Sequence, residues 1–401
     1  MLDPLSPVLP PLKLPPIHPA CRLSVTVPAK DEADFILPTL RALRWQVDEC
    51  GAPLDPACYE VILLANNCRD ATANLARAFA RAHPDFRLHV VERHFRPEVA
   101  CVGTARRMMM EAAAERLPPH GIISTTDSDT LVDRHWVAAT LRAFDRGAYA
   151  VGGRITTPRC HRGAYRKIYL QDVTYRLLQA RLEHMIDPQP DDPAPRHFQQ
   201  YGPSMAVRVD AYRACGGMPP LKAIEDVALG WALERIDVSF VHDPAVRVTT
   251  SDRASSRVDG VAFSHALDEW GRMIAENRKP VVPGLQNCLR LYKWKVALRR
   301  AFFERRLGGS PALFSLASYL DLSPASLEER VAAAPTFGAL YQDIRQQLEA
   351  THAFSDTTFE VAIQDLRKFT RSACLSPVAK HRVGSVPPGY RVRGESRQGA
   401  A

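Results

Sequence analysis

Between residues 22 and 155 the chain alternates short apolar, β-branched runs with segments of helical spacing. Arg22–Pro28 is a β-branched run ended by proline. Tyr59–Ala65 (YEVILLA), apolar apart from Glu60, reads as a second buried strand. Arg87–Glu92, Gly121–Thr126 and Ala148–Ile155 read as further strands. Asp34–Glu49, Thr72–Ala82, Gly103–Leu117 and Asp133–Arg146 read as helices; in the first, Phe35, Leu37, Leu40, Leu43 and Trp45 form the apolar set. Strands alternating with crossover helices build a mostly parallel sheet with helices on both faces. Ligands of such sheets bind outside the carboxyl ends of the strands. The polar clusters Lys30-Asp31-Glu32, Asn66-Asn67 and Asp127-Ser128-Asp129 fall at those ends.

Downstream the alternation weakens. His161–Met185 reads as a helix, and the Pro/Asp-rich stretch Asp187–Arg196 as a mobile lid or a plain surface loop. Tyr201–Val209 returns to strand, and Val227–Arg235 is a helix opened by Glu225-Asp226. Past about Ser264 only helical patterns follow, to about Arg371. The expected organisation is a proline-rich arm over 1–20, an α/β domain over 21–255, a helical region over 256–375 and a basic, disordered tail over 376–401.

Composition narrows the partners. A net charge of +8 suits phosphate-bearing ligands, nucleic acid or an anionic membrane face without choosing among them. No nucleic-acid-binding motif accompanies the charge, so nucleic acid is not expected. No apolar run reaches the roughly 18 residues of a spanning helix. The nine cysteines are scattered, odd in number and without a CxxC pair, which points to inert thiols in a reducing cytoplasm. Cys288–Leu307 is basic and amphipathic, with Leu291, Trp294, Leu298 and Phe302 on one stripe. Such a helix either lies peripherally on the inner face of a membrane or packs its stripe against the body. Packing is the expectation for Trp294.

Asp127-Ser128-Asp129 follows the apolar strand IIST. Two carboxylates two residues apart at a strand end suit Mg²⁺ or Mn²⁺, with a substrate diphosphate completing the shell. The alternative is a polar loop whose second acid caps the next helix.

Four ordered motifs across about 22–255 resemble the family 2 glycosyltransferases, which have the GT-A fold. Val27-Pro28-Ala29-Lys30-Asp31-Glu32 resembles the family's opening loop, and Cys101–Arg107 (CVGTARR) its G-x-A-x-A-R-N segment. Asp127-Ser128-Asp129 occupies the metal-binding slot. Cys215-Gly216-Gly217-Met218 with Ile224-Glu225-Asp226 matches the G-G-F … E-D pair on the acceptor side. The resemblance implies sugar transfer from a nucleotide-diphosphate donor to an acceptor hydroxyl, with inverted configuration. It assigns Asp226, beside Glu225, as general base. Asp129 binds the metal directly; Asp127 touches the ribose or a metal water. Pro28, Ala29, Asp31, Glu32, Asn66, Asn67, Ser128 and Arg106 line the donor, with Arg106 on the base or a phosphate. His242 and Asp252 are candidates for a third metal ligand, the other reading of His242 being a structural hydrogen-bonding residue; as an alternative, Arg253 faces the diphosphate instead. Two departures stand out. Ala65 and Asn66 replace the acids that grip a uracil ring, though an asparagine amide still offers a donor and an acceptor to a base edge. Asp31 stands where asparagine is usual. The Q-x-x-R-W signature of processive members is absent, which argues for single-sugar addition. Two rivals are a nucleotidyltransferase acting on a sugar phosphate and a non-catalytic nucleotide-sugar-binding protein. The first lacks its Gly-rich, basic loop here; the second is opposed by the presence of Asp129 and Asp226.

Overall fold

The computed structural model describes residues 10–158, 164–251, 262–305, 307–351 and 356–375. The chain runs β1 (Leu23–Ala29), α1 (Ile36–Arg44), β2 (Tyr59–Asn66), α2 (Thr72–Ala82), β3 (Leu88–Arg93), α3 (Val102–Arg116) and β4 (Ile122–Thr125). Then come β5 (Thr130–Val132), α4 (Trp136–Asp145), β6 (Ala150–Gly152), β7 (Arg154–Thr156), α5 (Ala164–Ile186), β8 (Met205–Arg208) and α6 (Val209–Ala214). α7 (Glu225–Arg235), β9 (Phe240–Val241) and β10 (Arg247–Thr250) complete the α/β part. The helical region holds α8 (Ala262–Ala275), β11 (Val281–Pro283), α9 (Leu285–Glu304), α10 (Pro311–Tyr319) and α11 (Pro324–Ala333), then α12 (Phe337–Ala350), β12 (Asp356–Thr358) and α13 (Phe359–Leu375).

The main sheet has the order β3-β2-β1-β4-β8-β6-β9. β3, β2, β1 and β4 are parallel, β8 is antiparallel to both its neighbours, and β6 pairs β9 in parallel. All eight residues of β2 are buried, Glu60 among them through its bonds to Ser24, His89 and Arg116. Leu23, Val25, Val27, Leu63 and Ala76 belong to a core on one face; Ile62, Leu64, Met109, Val207 and Tyr212 belong to a core on the other. The two faces of one strand feed separate cores because successive side chains alternate.

Three differences from the sequence pattern have local causes. α1 stops at Arg44 and Trp45 is 62% exposed, because buried Gln46 turns back and donates from Nε2 to the carbonyls of Ala42 (2.9 Å) and Asp133 (3.1 Å). The run Ala148–Ile155 breaks at Gly153, where an added Cβ would sit 1.9 Å from Ser204 Oγ, and β7 leaves to pair with β10 in a second sheet, β5-β10-β7. The helical region contains the short antiparallel pair β11–β12, whose strands lie far apart in sequence and are too short to show as a periodic signal.

Within the arm, Leu12 is buried with the second core, and Arg116 donates to the Pro15 carbonyl. The stretch Asp187–Arg196 is tied down: Asp187 and Asp192 are buried and ion-paired. Trp294, Leu298 and Phe302 of α9 are buried among α10, α11 and α12, which settles Trp294 as a packing residue. Several basic side chains of α9 are engaged inside the molecule, while Lys293 and Arg300 stay exposed. Lys295 Nζ lies 2.7 Å from Glu183 Oε1, Arg299 pairs with Asp187, and Arg290 lies 4.8 Å over the Tyr319 ring. Burial alone would raise Glu183, but Lys295 and Arg196 hold it down at about 2. No helix among the described residues is long and apolar enough to cross a membrane. The tail over 376–401 lies outside the described residues.

Candidate active site

β1 and β4 are adjacent parallel strands, so their carboxyl ends open on one side of the sheet. The chain leaves β4 through Thr126 into Asp127-Ser128-Asp129, and a turn closes where Thr130 N donates to Asp127 O at 3.2 Å. β5 begins at Thr130 and pairs with β10, which brings Ser251 to Asp129: the Ser251 hydroxyl donates to Asp129 Oδ2. Buried Ser128 is fixed through its carbonyl, which accepts from Thr39 Oγ1 at 2.9 Å. The Asp127 carboxyl keeps 28% exposure. Burial raises it above the ordinary range against the pull of Arg106, and the like charge of Asp129 adds to the rise. Hard oxygen donors that repel each other at a strand end fit a divalent cation, which would relieve that repulsion.

Arg106, on α3, is 3% exposed. Its guanidinium donates to Thr125 Oγ1, to Asp127 Oδ1 and to the Gly202 carbonyl (3.3 Å), and its Nε lies 3.0 Å from Glu225 Oε1. Burial works against the charge, but Asp127, Glu225 and Asp226 outweigh it and push the Arg106 pKa up. The resemblance placed Arg106 on a base or a phosphate of the donor; the structure shows its protein partners. Its fork is filled by protein oxygens, and it bridges the strand-end acids to the acids that open α7. The site tolerates no bulk here: a Cβ on Gly202 would lie 2.4 Å from Arg106 Nη2 and 3.3 Å from Asp226 Oδ2.

Glu225 and Asp226 differ in environment. Glu225 is 5% exposed, and burial raises its carboxyl against the pull of Arg106. Asp226 is half-buried; its Oδ2 accepts from Gly202 N at 2.7 Å and its Oδ1 from Val227 N at 2.7 Å. The backbone thus aims the Asp226 carboxylate, and it is the more reachable of the two.

The loops after β1 and β2 clasp each other. Asp31, at φ 55°, accepts from Arg69 N at 2.6 Å, and Asp70 Oδ2 accepts from Ala33 N at 2.9 Å. Thr72 Oγ1 accepts from Glu32 N at 2.7 Å, and Glu32 is itself buried. Asp31, Cys68 and Asp70 bring their ligand atoms within 4.8 Å of one another, but the acids already hold backbone N–H groups. Asp31 thus clasps the two loops together. Asn67 is held by its own loop bonds. At φ 52° it exchanges bonds with Phe95, donating to the carbonyl at 2.9 Å and accepting from the N–H at 3.1 Å. Asn66 is 7% exposed at the end of β2, and its amide has no hydrogen-bond partner among the described residues. Pro28 and Ala29 pair with Leu64 and Ala65 in the ladder and place the first loop beside it.

His242 is held by the stretch Asp187–Arg196. Its Nδ1 lies 2.8 Å from Asp192 Oδ2, and its backbone N–H donates to Asp192 Oδ1 at 2.8 Å. Asp127, Asp129 and His242 do not gather as a metal-holding trio among the described residues. The ring is engaged by an acid from the supposed lid, which sequence spacing had no means to pair with it. Asp252 and Arg253 lie outside the described residues. Ser251 and Gly202 were not foreseen; the only sequence signal for Ser251 was its place in the segment VHDPAVRVTTSDR, in which His242 and Asp252 stand.

The model of the family described as "Glycosyltransferase like family 2" matches residues 19–261. No protein of curated function matches the chain. Among solved structures, the mannosyltransferase PcManGT of Pyrobaculum calidifontis, in complex with GDP-Man and Mn²⁺, is 17% identical. It has a TM-score of 0.42, over 92% of this chain and 85% of that one. S. aureus TarS 1-349 in complex with UDP-GlcNAc is 12% identical, with a TM-score of 0.43 over 88% and 92%.

Proposed function

Because this chain belongs to the family 2 glycosyltransferases, we propose that it moves a single sugar from a nucleotide-diphosphate donor to an acceptor hydroxyl, with inversion, in the cleft between Asp127–Asp129 and Glu225–Asp226. The catalytic unit is the stretch over 21–255. The observation that carries this reading is the Arg106 bridge, which fixes an acidic pair suited to a donor diphosphate beside an acidic pair suited to an acceptor.

Asp129 and Asp127 would hold Mg²⁺ or Mn²⁺, whose charge offsets that of the departing diphosphate. Ser251 orients the Asp129 carboxylate through Oδ2. Asn66 presents its unpartnered amide to the base edge beside Ala65. Asp226 accepts the acceptor proton from the face opposite the leaving group, so the new bond forms with inverted configuration. Glu225 is unsuited to that task, being buried against Arg106; it holds the guanidinium in place. The seven cysteines whose side chains are described are unpaired, and the cytoplasm is the proposed setting.

The test is a turnover screen of purified protein against UDP-, GDP- and TDP-sugars with Mg²⁺ or Mn²⁺. Release of nucleoside diphosphate from one donor class supports the reading. Binding of none, with either metal, removes it.

A further inference from the structure

The helix that carries Glu225 and Asp226 is gripped at its far end by the helical region. α12 meets the end of α7 so closely that a Cβ on Gly338 would sit 1.6 Å from the Glu234 carbonyl oxygen. The first N–H groups of α12 have no intrahelical partner. Asp237, just past α7 and at φ 61°, takes two of them: Oδ1 accepts from Gly338 N at 2.6 Å and Oδ2 from Phe337 N at 3.3 Å. Thr336 Oγ1 donates to the Arg235 carbonyl. Gln342 Nε2 donates to the Trp231 carbonyl at 2.8 Å and to Glu234 Oε2 at 2.7 Å, and Arg235 pairs with Asp343 at 2.9 Å.

The near end of α7 is constrained too. Ile224, directly before Glu225, has φ 55°. A β-branched residue occupies that region only where its surroundings impose it. α7 spans 11 residues, about 16 Å at 1.5 Å per residue, so a shift where Gly338 touches Glu234 reaches Asp226 through a stiff rod.

We propose that α12 is a positioning element for the acceptor-side acids: the Gly338–Glu234 contact and the Asp237 cap set where α7 lies, and so where Asp226 meets Gly202 N. Gly338 and Asp237 are positioning residues, and the helical region is a strut of the site rather than an appendage. The Asp226 assignment comes from the function proposed above, so the test includes a readout independent of turnover.

That readout is amide exchange at Gly202, whose N–H is bonded to Asp226 Oδ2. The full-length wild type is compared with Gly338→Ala, Asp237→Asn, Asp237→Ala and Ser323→Ala. The last removes a helix cap in the same region, on α11, away from α7. Exchange at Gly202 rises about tenfold or more in Gly338→Ala and Asp237→Ala, less in Asp237→Asn, and not in Ser323→Ala. With a donor that turns over, kcat falls at least about tenfold in the same order while donor KM stays within about twofold. If Gly338→Ala does not fold, the two Asp237 variants carry the comparison. Wild-type exchange at Gly202 in folded Asp237→Ala overturns the proposal. Raised exchange in a protein that turns over no donor removes the functional reading and leaves the positioning intact.

Discussion

The Nε of Arg106 lies 3.0 Å from Oε1 of Glu225, while the same guanidinium donates to Asp127. One buried cation therefore neutralises an acid from the end of β4 and an acid from the start of α7. Removing one partner of a buried pair is far more costly than the pair's net worth, because the remaining charges stay buried. Arg106→Gln is expected to lose about 3–5 kcal/mol of stability in chemical denaturation. Arg106→Lys keeps the charge without the fork and recovers part of that loss. A neutral Arg106→Gln would mean that the bridge holds nothing.

The acids at the strand end predict metal dependence. EDTA is expected to abolish donor turnover, and Mn²⁺ or Mg²⁺ to restore it. Asp129→Ala is expected to weaken metal-dependent donor binding strongly, and Ser251→Ala more mildly, since Ser251 only orients the Asp129 carboxylate. Titration calorimetry with nucleoside diphosphate and Mn²⁺ reads both; full activity in EDTA contradicts the assignment.

Asn66 and Asn67 predict opposite outcomes. The Asn66 amide makes no side-chain hydrogen bond among the described residues, so Asn66→Ala is expected to leave the melting temperature nearly unchanged and raise donor KM about tenfold, roughly one lost hydrogen bond. Asn67→Ala breaks both bonds to Phe95 and puts alanine at φ 52°, so it is expected to cost about 2–3 kcal/mol. A melting-temperature and KM comparison of the two variants separates base reading from loop holding.

Much of this was legible in the residues. The β-branched runs placed β1, β2 and β4 because a strand buried on both faces leaves a continuous apolar signal, and Asp127 to Asp129 followed at the strand end. Tyr59–Ala65 and Thr72–Ala82 needed almost no correction. Pairings across long separations were not legible. Asp192 with His242, Ser251 with Asp129 and Gly338 with Glu234 depend on how loops return, and no local periodicity encodes that. The acids around Arg106 were not legible either, since burial of a guanidinium among acids cannot be read from its own segment.

The stripe of α9 predicts a purely structural phenotype. Trp294 is 2% exposed within the helical core, so Trp294→Ala is expected to cost about 3–5 kcal/mol. Co-sedimentation with anionic vesicles is expected to be the same for both proteins. Vesicle binding lost in a Trp294→Ala protein of unchanged melting temperature would overturn this.

The central claim is tested most directly at Asp226. Asp226→Asn keeps the shape and the bond from Gly202 N but removes the proton acceptor. With the best donor and a hydroxyl acceptor, single-turnover transfer is expected to fall about 10²–10⁴-fold, the usual size of a general-base contribution, with donor affinity within about twofold. Glu225→Gln is expected to slow transfer less. An Asp226→Asn enzyme that transfers sugar at more than about half the wild-type rate would contradict the account.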